Sequence, residues 1–212
     1  MLGGLGVPLD ISGEDMLSKV LITGFEVFGT HQTNISEQMV SRLCRDGEHL
    51  QHREGLVLSV DENGSCMVPQ MLSTRLEADE LPDAVVMLGL HERADIIHIE
   101  RRANNHVAFR MPDNSGRVVE GLLIEGASNY LASTAPLAAL EQLCSREKNA
   151  TMSDDCGSYV CNESYFRALD FLHRERISSP LVFVHLPSED MLGVDRTEQI
   201  LENIIAVMTS IQ

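Results

Sequence analysis

The stretch KVLITGF, residues 19–25, decides the fold class. Its apolar and β-branched residues run without alternation, which is typical of a strand buried on both faces of a sheet. Further apolar runs predict strands at residues 55–60, 84–89, 96–100 and 180–186. Because such strands occur in parallel sheets covered by helices, the pattern predicts an α/β fold.

Amphipathic stretches between these runs predict the covering helices, at residues 35–45, 65–76, 136–146 and 161–174. A last helix is predicted to begin at the N-cap Asp195, with Glu198 completing a capping box. Its buried stripe is predicted from apolar residues at helical spacing, namely Ile200, Leu201, Ile204, Ile205, Met208 and Ile211. The elements together predict a three-layer sandwich, in which a mostly parallel twisted sheet carries helices on both faces.

Two shorter signals mark element boundaries in the first third of the chain. Asn34 precedes the first helical stretch and is its predicted N-cap, with Glu37 three residues later. The dipeptide Asn63-Gly64 predicts a turn that ends the second strand. The domain is expected to cover residues 19–212, after a flexible extension at residues 1–18.

The charge and the cysteines narrow the class of protein. Sixteen Lys and Arg against 32 Asp and Glu give a net charge of −16, which argues against nucleic acid and anionic membranes as partners. No apolar run approaches the ~18–20 residues that span a bilayer. Five irregularly spaced cysteines are not a disulfide framework. Because residues 1–18 also lack Lys and Arg, no signal or transit peptide is indicated, and we expect a reduced, cytoplasmic protein.

Cys161 lies where a Gly-containing turn enters a predicted helix, in the segment SDDCGSYVCN at residues 153–162. A thiol at a helix N-terminus faces the positive end of the helix dipole, which favours the thiolate. Lone cysteines are more often small buried apolar residues. Position alone therefore leaves both interpretations open.

His185 and Glu100 each end a predicted strand. A histidine there is well placed as a general base, although a backbone carbonyl could also satisfy it. Glu100 could equally be a salt-bridged strand end. A nucleophilic cysteine needs a base, and the base needs a third group that fixes its tautomer. Since all three are predicted at one edge of the sheet, Cys161, His185 and Glu100 are candidates for these roles.

The loop GFEVFG, residues 24–29, follows the first strand at the end where open α/β sheets bind ligands. It contains Phe25 and Phe28, two of only six phenylalanines in the chain. These residues are either walls of a ligand site or ordinary core aromatics. The loop lacks both GxGxxG and a GK[ST] ending, so it is not a phosphate-binding loop.

Four segments in order resemble those of the pyroglutamyl peptidases I, a family of cysteine peptidases. VLITGFEVFG is similar to the family's TGFxPFGG, and IERRANNHVAFRMPDN to its ExxAxN…RxPDN. SDDCGSYVCN is similar to AGxYxCN, and FVHLP to FxHxP. The resemblance runs from residue 19 to residue 212.

The resemblance implies an omega-peptidase that removes N-terminal pyroglutamate from small peptides. It implies a triad of Cys161 as nucleophile, His185 as base and Glu100 as orienting acid. No cofactor and no metal are implied, and the family tends to form homo-dimers or homo-tetramers.

The resemblance also implies a site for the flat pyrrolidone ring. Phe25, Phe28 and Tyr159 would form an apolar slot, and backbone groups near Leu90 would hold the lactam. Arg110 matches the family's arginine before the PDN turn, near the site where oxyanion charge develops. The Tyr159 hydroxyl must then find a partner or face the opening.

The chain departs from the family pattern at four positions. Val27 replaces a proline, Thr30 a glycine and Ile35 a second proline, which changes the stiffness of the loop beside the slot. Cys156 replaces an alanine five residues before Cys161, and a disulfide between them on oxidation would need close Cα atoms.

Three other functions stay open on the sequence. The loop changes would suit a cysteine amidase acting on another small lactam or acyl amide. A catalytically idle peptide-binding relative would not need Glu100, Cys161 and His185. A metal site formed by Cys156, Cys161 and His185 would be indicated by stoichiometric zinc in the purified protein.

Overall fold

The computed structural model describes residues 18–45 and 52–210. Residues 1–17 of the predicted extension, and Ile211 of the predicted stripe, lie outside these ranges. The described strands are β1 (Val20–Phe25), β2 (Arg53–Leu58), β3 (Ala84–Leu90), β4 (Ile97–Glu100), β5 (Arg102–Asn104), β6 (Val107–Ala108), β7 (Glu120–Gly121), β8 (Tyr130–Ala132), β9 (Ala150–Ser153) and β10 (Leu181–Leu186). The described helices are α1 (Ile35–Leu43), α2 (Glu62–Ala78), α3 (Leu137–Arg146), α4 (Val160–Glu175), α5 (Glu189–Leu192) and α6 (Val194–Thr209).

A six-stranded sheet with the order β2-β1-β3-β10-β4-β9 forms the middle layer. All neighbouring strands are parallel except β10 and β4, which pair antiparallel. The strands β1, β3 and β10 are buried along almost their whole length, because helices cover both faces. The α/β class and the mostly parallel sheet predicted from the apolar runs are confirmed.

Each face of the sheet has its own hydrophobic core. Helices α1, α3 and α6 pack on one face, where α6 buries Ile200, Leu201, Ile204, Ile205 and Met208. Helices α2 and α4 pack on the other face, around Tyr165, Phe166 and Phe183. The three-layer sandwich is therefore the observed architecture. Within the described ranges, no helix is both long and apolar enough to cross a bilayer.

The predicted start of the last helix is wrong. Helix α6 begins at Val194 after Gly193, whose φ of 76° lies in the region that favours glycine. Asp195 is therefore inside the helix, and its carboxylate pairs with Arg42. Glu198 pairs with Arg42 as well, so neither residue caps the helix.

The predicted turn at Asn63-Gly64 is also wrong, because both residues lie in the first turn of α2. Asp61 is the N-cap, and its carboxylate accepts a hydrogen bond from the Gly64 N–H at 2.9 Å. A Cβ at Gly64 would come within 1.9 Å of the Ser59 carbonyl oxygen. Glycine is therefore needed at this position because the helix packs closely against the backbone of Ser59. The predicted cap at Asn34 is confirmed, since its side chain accepts from Ser36 N–H at 3.0 Å.

Residues 101–132 form two small two-stranded sheets, β5-β8 and β6-β7, that the sequence pattern does not predict. Strands of two or three residues are too short to show periodicity. The Asn162 side chain joins this segment to α4, donating to the carbonyls of Asn104 and His106 and accepting from Asn104 N–H. The segment therefore fixes the N-terminal turn of α4, where Cys161 lies.

Candidate active site

A cavity of about 750 Å³ opens where β1, β3 and β10 end and α4 begins. Its lining includes Cys161, His185 and residues of the GFEVFG loop. This is the end of a parallel sheet at which α/β folds bind ligands. The geometry around the cavity brings together most of the residues singled out in the sequence.

His185 and Glu100 form a buried pair, with 2.8 Å between His185 Nδ1 and Glu100 Oε1. The two strands run antiparallel, so Glu100 lies opposite Phe183 and not at the end of β10. Both residues were expected to lie at the same edge of the sheet. This expectation is wrong in detail, because β4 runs opposite to β10. The glutamate side chain spans the difference, and its backbone carbonyl accepts from the Tyr165 hydroxyl at 3.2 Å.

Charge around His185 changes its proton affinity. Burial alone would lower the pKa of His185, but contacts with Cys161 and Glu100 outweigh it and raise this pKa from 6.5 to about 9. The imidazolium is therefore the favoured form of the ring at neutral pH. An imidazolium between a carboxylate and a thiol is suited to donating a proton.

Cys161 is the second residue of α4, and its thiol is one of the groups that raise the pKa of His185. It is partly exposed and lines the cavity. A Cβ at Gly89 would lie 2.9 Å from Cys161 Sγ and 2.8 Å from Phe183 Cζ. Glycine at the end of β3 is therefore what lets the sulfur approach the sheet.

Cys156 is a second thiol beside the pair. It is only 2% exposed, and its sulfur, a Glu100 carboxylate oxygen and a His185 ring nitrogen all lie within 4.8 Å of one another. Burial, followed by the charge of Glu100, raises the pKa of Cys156 well above its usual value. Cys156 and Cys161 are both free thiols. This trio could hold a metal ion, whereas the sequence suggested Cys161 in place of Glu100.

The three predicted slot residues, Phe25, Phe28 and Tyr159, line the cavity, as does Leu90, whose backbone was predicted to hold the lactam. The rings of Phe28 and Tyr159 are 6.2 Å apart. The Tyr159 hydroxyl donates to the Pro112 carbonyl at 3.0 Å, so it has found the partner that the sequence required. Phe25 is also part of the core, at 2% exposure.

Arg110 is exposed and lines the same cavity. It makes no ion pair with any residue in the described ranges. The PDN turn that follows it braces the GFEVFG loop, because the Asn114 amide donates to Glu26 Oε1 at 2.9 Å and to the Val27 carbonyl at 3.0 Å. The loop is thus held by side-chain hydrogen bonds at the position where Val27 departs from the family pattern.

His91 is a cavity residue that the sequence reasoning missed. It directly follows β3, and its ring lies 5.6 Å from that of His185 and 5.5 Å from that of His98. Burial, with the neighbouring histidines, lowers the pKa of His91. Its place just after a buried strand was the available signal, since that end of the sheet holds ligand sites.

The model of the pyroglutamyl peptidase family matches residues 18–209 of the chain. The chain is 33% identical over 193 residues to the pyrrolidone-carboxylate peptidase of Thermococcus onnurineus, covering 88% of this chain and 93% of that one. It is 34% identical over 190 residues to that of Thermococcus kodakarensis, covering 88% and 90%. The solved pyrrolidone carboxyl peptidase from Thermococcus litoralis has a TM-score of 0.79 at 27% identity, covering 90% and 93%.

Proposed function

The chain belongs to the pyroglutamyl peptidase family and is a cysteine-type hydrolase, and we propose that Cys161, His185 and Glu100 are its catalytic residues. The activity is hydrolysis of the amide bond that follows an N-terminal pyroglutamyl residue. The observation that carries the assignment is the buried His185–Glu100 pair, at 2.8 Å, beside a cysteine at a helix N-terminus.

The proposed reaction passes through an acyl-enzyme. The Cys161 thiolate attacks the pyroglutamyl carbonyl carbon, and the C–N bond breaks as His185 gives its proton to the leaving amine. Water then attacks the thioester carbonyl carbon while His185 takes a proton from the water. The C–S bond breaks, which releases pyroglutamic acid and restores the Cys161 thiolate and the protonated His185. Glu100 orients the ring and stabilises the imidazolium. We assign stabilisation of the oxyanion to backbone N–H groups at the start of α4.

Cys161 suits the nucleophile's role better than Cys156, although both lie near His185. Cys161 is partly exposed in the cavity, its thiol is one of the groups that raise the pKa of His185, and it lies in the first turn of α4, at the positive end of the helix dipole. Cys156 is buried, and burial raises its pKa well above the usual value, which disfavours the thiolate.

The cavity wall suits a neutral lactam. Phe25, Phe28 and Tyr159 present aromatic surface, and the Tyr159 hydroxyl is already bonded to Pro112. A pyrrolidone ring has no ammonium group, so an apolar slot with a few amide partners recognises it better than an acidic clamp. We assign the lactam contacts to backbone groups at Leu90, and a place near the developing oxyanion to Arg110.

Small pyroglutamyl peptides are the proposed substrates, in the cytoplasm. The free state of all five cysteines fits a reducing compartment. A homo-dimer or homo-tetramer stays a prediction from the family resemblance, and light scattering after size exclusion would test it.

The test of the activity is hydrolysis of pyroglutamyl-aminomethylcoumarin beside prolyl and alanyl analogues, with and without iodoacetamide. We expect release from the pyroglutamyl compound alone, and its loss after alkylation. If folded protein releases coumarin from none of them, the activity is wrong, and other lactams and acyl amides become the substrates to test. Release that survives alkylation would overturn the thiol mechanism.

A further inference from the structure

The buried trio of Glu100, Cys156 and His185 offers a carboxylate oxygen, a sulfur and an imidazole nitrogen within 4.8 Å of one another. These are the three ligand types that zinc binds in proteins. Zinc–ligand bonds of about 2.0–2.3 Å put tetrahedral ligands roughly 3.3–3.8 Å apart. The distances between the three ligand atoms therefore need to shorten by no more than about 1.5 Å to enclose such an ion.

A second observation at the same place is a buried polar atom without a hydrogen-bond partner among the described residues. Glu100 is 0% exposed, and its Oε2 has no hydrogen-bond partner among the described residues. A buried carboxylate oxygen without a donor is costly, and a cation would satisfy it. The cavity gives access, since Cys156 and His185 both lie on its wall.

We propose that Cys156, His185 and Glu100 form an inhibitory site for a zinc-class divalent cation. Cys156 is the residue that creates it, because it stands where the family pattern has alanine, and alanine offers no ligand atom. The inhibition rests on the proposed function, in which His185 is the catalytic base. Binding of the ion is independent of that assignment.

Binding exchanges protons for the metal without any change of oxidation state. The Cys156 S–H bond breaks and its proton passes to solvent, as does the proton of the ligating His185 nitrogen, while three metal–ligand bonds form. A metal ion on either ring nitrogen leaves only the other nitrogen for a proton, so His185 no longer changes between imidazole and imidazolium and cannot serve as base and acid. The metal-bound enzyme is therefore inactive.

The proposal is tested by adding Zn²⁺ stepwise to metal-stripped protein and measuring the peptidase activity that remains. We expect one Zn²⁺ per chain to inhibit the unmodified protein. Cys156→Ala is expected to raise the half-inhibiting zinc concentration by at least about tenfold, the least effect found when even a supporting residue of a metal site is lost. Its metal-free kcat/KM should stay within about threefold of the unmodified value. Cys144→Ala, which alters a thiol on α3, is the matched control and should titrate like the unmodified protein.

Equal zinc sensitivity of the unmodified protein and Cys156→Ala would overturn the proposal, because it would place the metal on Cys161 and His185 alone. No inhibition of the unmodified protein would overturn it as well. If Cys156→Ala does not fold, Cys156→Ser replaces it, since a serine hydroxyl is a poor zinc ligand.

Cobalt absorption separates this proposal from the proposed function, because it needs no activity. Co²⁺ is added to Cys161→Ser protein, in which Cys156 is the thiol left at the site. We expect a thiolate-to-cobalt charge-transfer band that disappears in the Cys156→Ala/Cys161→Ser double variant. Absence of the band in Cys161→Ser would contradict the metal site whatever the enzyme's substrate.

Discussion

Glu100 and Glu163 are both buried glutamates, at 0% and 1% exposure, but their surroundings differ. Glu100 contacts one charged group, His185, and its second oxygen has no partner among the described residues. Glu163 accepts from Arg117 at 2.7 and 3.2 Å and from Arg167 at 2.9 Å, so both of its oxygens are bonded.

The Glu163 network holds the fold together around the site. Arg117 also donates to Asp113 at 2.8 Å, which ties the PDN turn to the first turn of α4. Burial alone would raise the pKa of Asp113, but its bonds to Arg117 and Ser115 outweigh it and lower this pKa. Fully paired charges add rigidity, whereas an incompletely paired carboxylate beside a histidine can respond to a change of charge. Glu163 therefore positions the helix, whereas Glu100 is the glutamate that we propose for the chemistry.

The largest effect is expected from a change at Cys161, which lies with Glu100 and His185 at the candidate active site. Cys161→Ser should lower kcat by at least about a thousandfold with little change in stability, because the nucleophile is lost and its size is kept. Cys44→Ser is the matched control and should keep full turnover. Coumarin release and thermal unfolding measure both variants, and the reverse pattern would refute Cys161 as the nucleophile.

Glu163→Gln should lower the free energy of unfolding and leave kcat almost unchanged. It leaves Arg117 and Arg167 without their shared charge, and breaking a buried ion pair costs about 3 kcal/mol or more. Urea unfolding should report this loss, while kcat at low temperature should stay within about threefold. A hundredfold fall in kcat of still-folded protein would erase the distinction between the two glutamates.

Glu100→Gln, in contrast to Glu163→Gln, should lower kcat and change the dependence of activity on pH. We expect kcat to fall by about a hundredfold or more, because the amide cannot stabilise the imidazolium. In the unmodified enzyme kcat/KM should fall as pH rises through about 9, where His185 loses its proton. Without the negative charge the pKa of His185 drops, so this fall should move to lower pH. An unmoved alkaline limb would show that Glu100 does not act through His185.

The smallest effect is expected at Phe28, in the loop that the PDN turn braces. Phe28→Ala removes ring-stacking area and should raise KM by about tenfold with little loss of stability. Tyr159→Phe is a control that keeps the aromatic surface. If KM for the pyroglutamyl substrate is unchanged in Phe28→Ala, Phe28 is a core residue and does not contact the lactam.

The sequence predicted the layers of the fold better than its local boundaries. Long apolar runs such as those of β1 and β10 report burial directly, so five of the six strands of the sheet were predictable. The short edge strand β9 was not predicted, because it has no such run. The capping role of Gly193 and the packing role of Gly64 were not, because both depend on backbone geometry that a residue's type does not show. The antiparallel direction of β4 likewise depends on the short connection of residues 91–96, which reverses the chain after β3.

The site was predictable where a residue type and a strand or helix end coincide. Cys161 and His185 met that condition, and the motif resemblance linked them to Glu100. The place of Cys156 against Glu100 was not predictable, because loop residues have no periodicity that reveals which neighbours they contact. His91 was missed because it follows β3 without resembling any motif.

The most direct test of the central claim is to find which thiol iodoacetamide modifies as activity is lost. The protein is alkylated to half activity, and peptide masses are mapped for Cys156 and Cys161. We predict that Cys161 is modified in proportion to lost activity while Cys156 stays unmodified. Inactivation that follows modification of Cys156, with Cys161 intact, would contradict the assignment of Cys161 as the nucleophile.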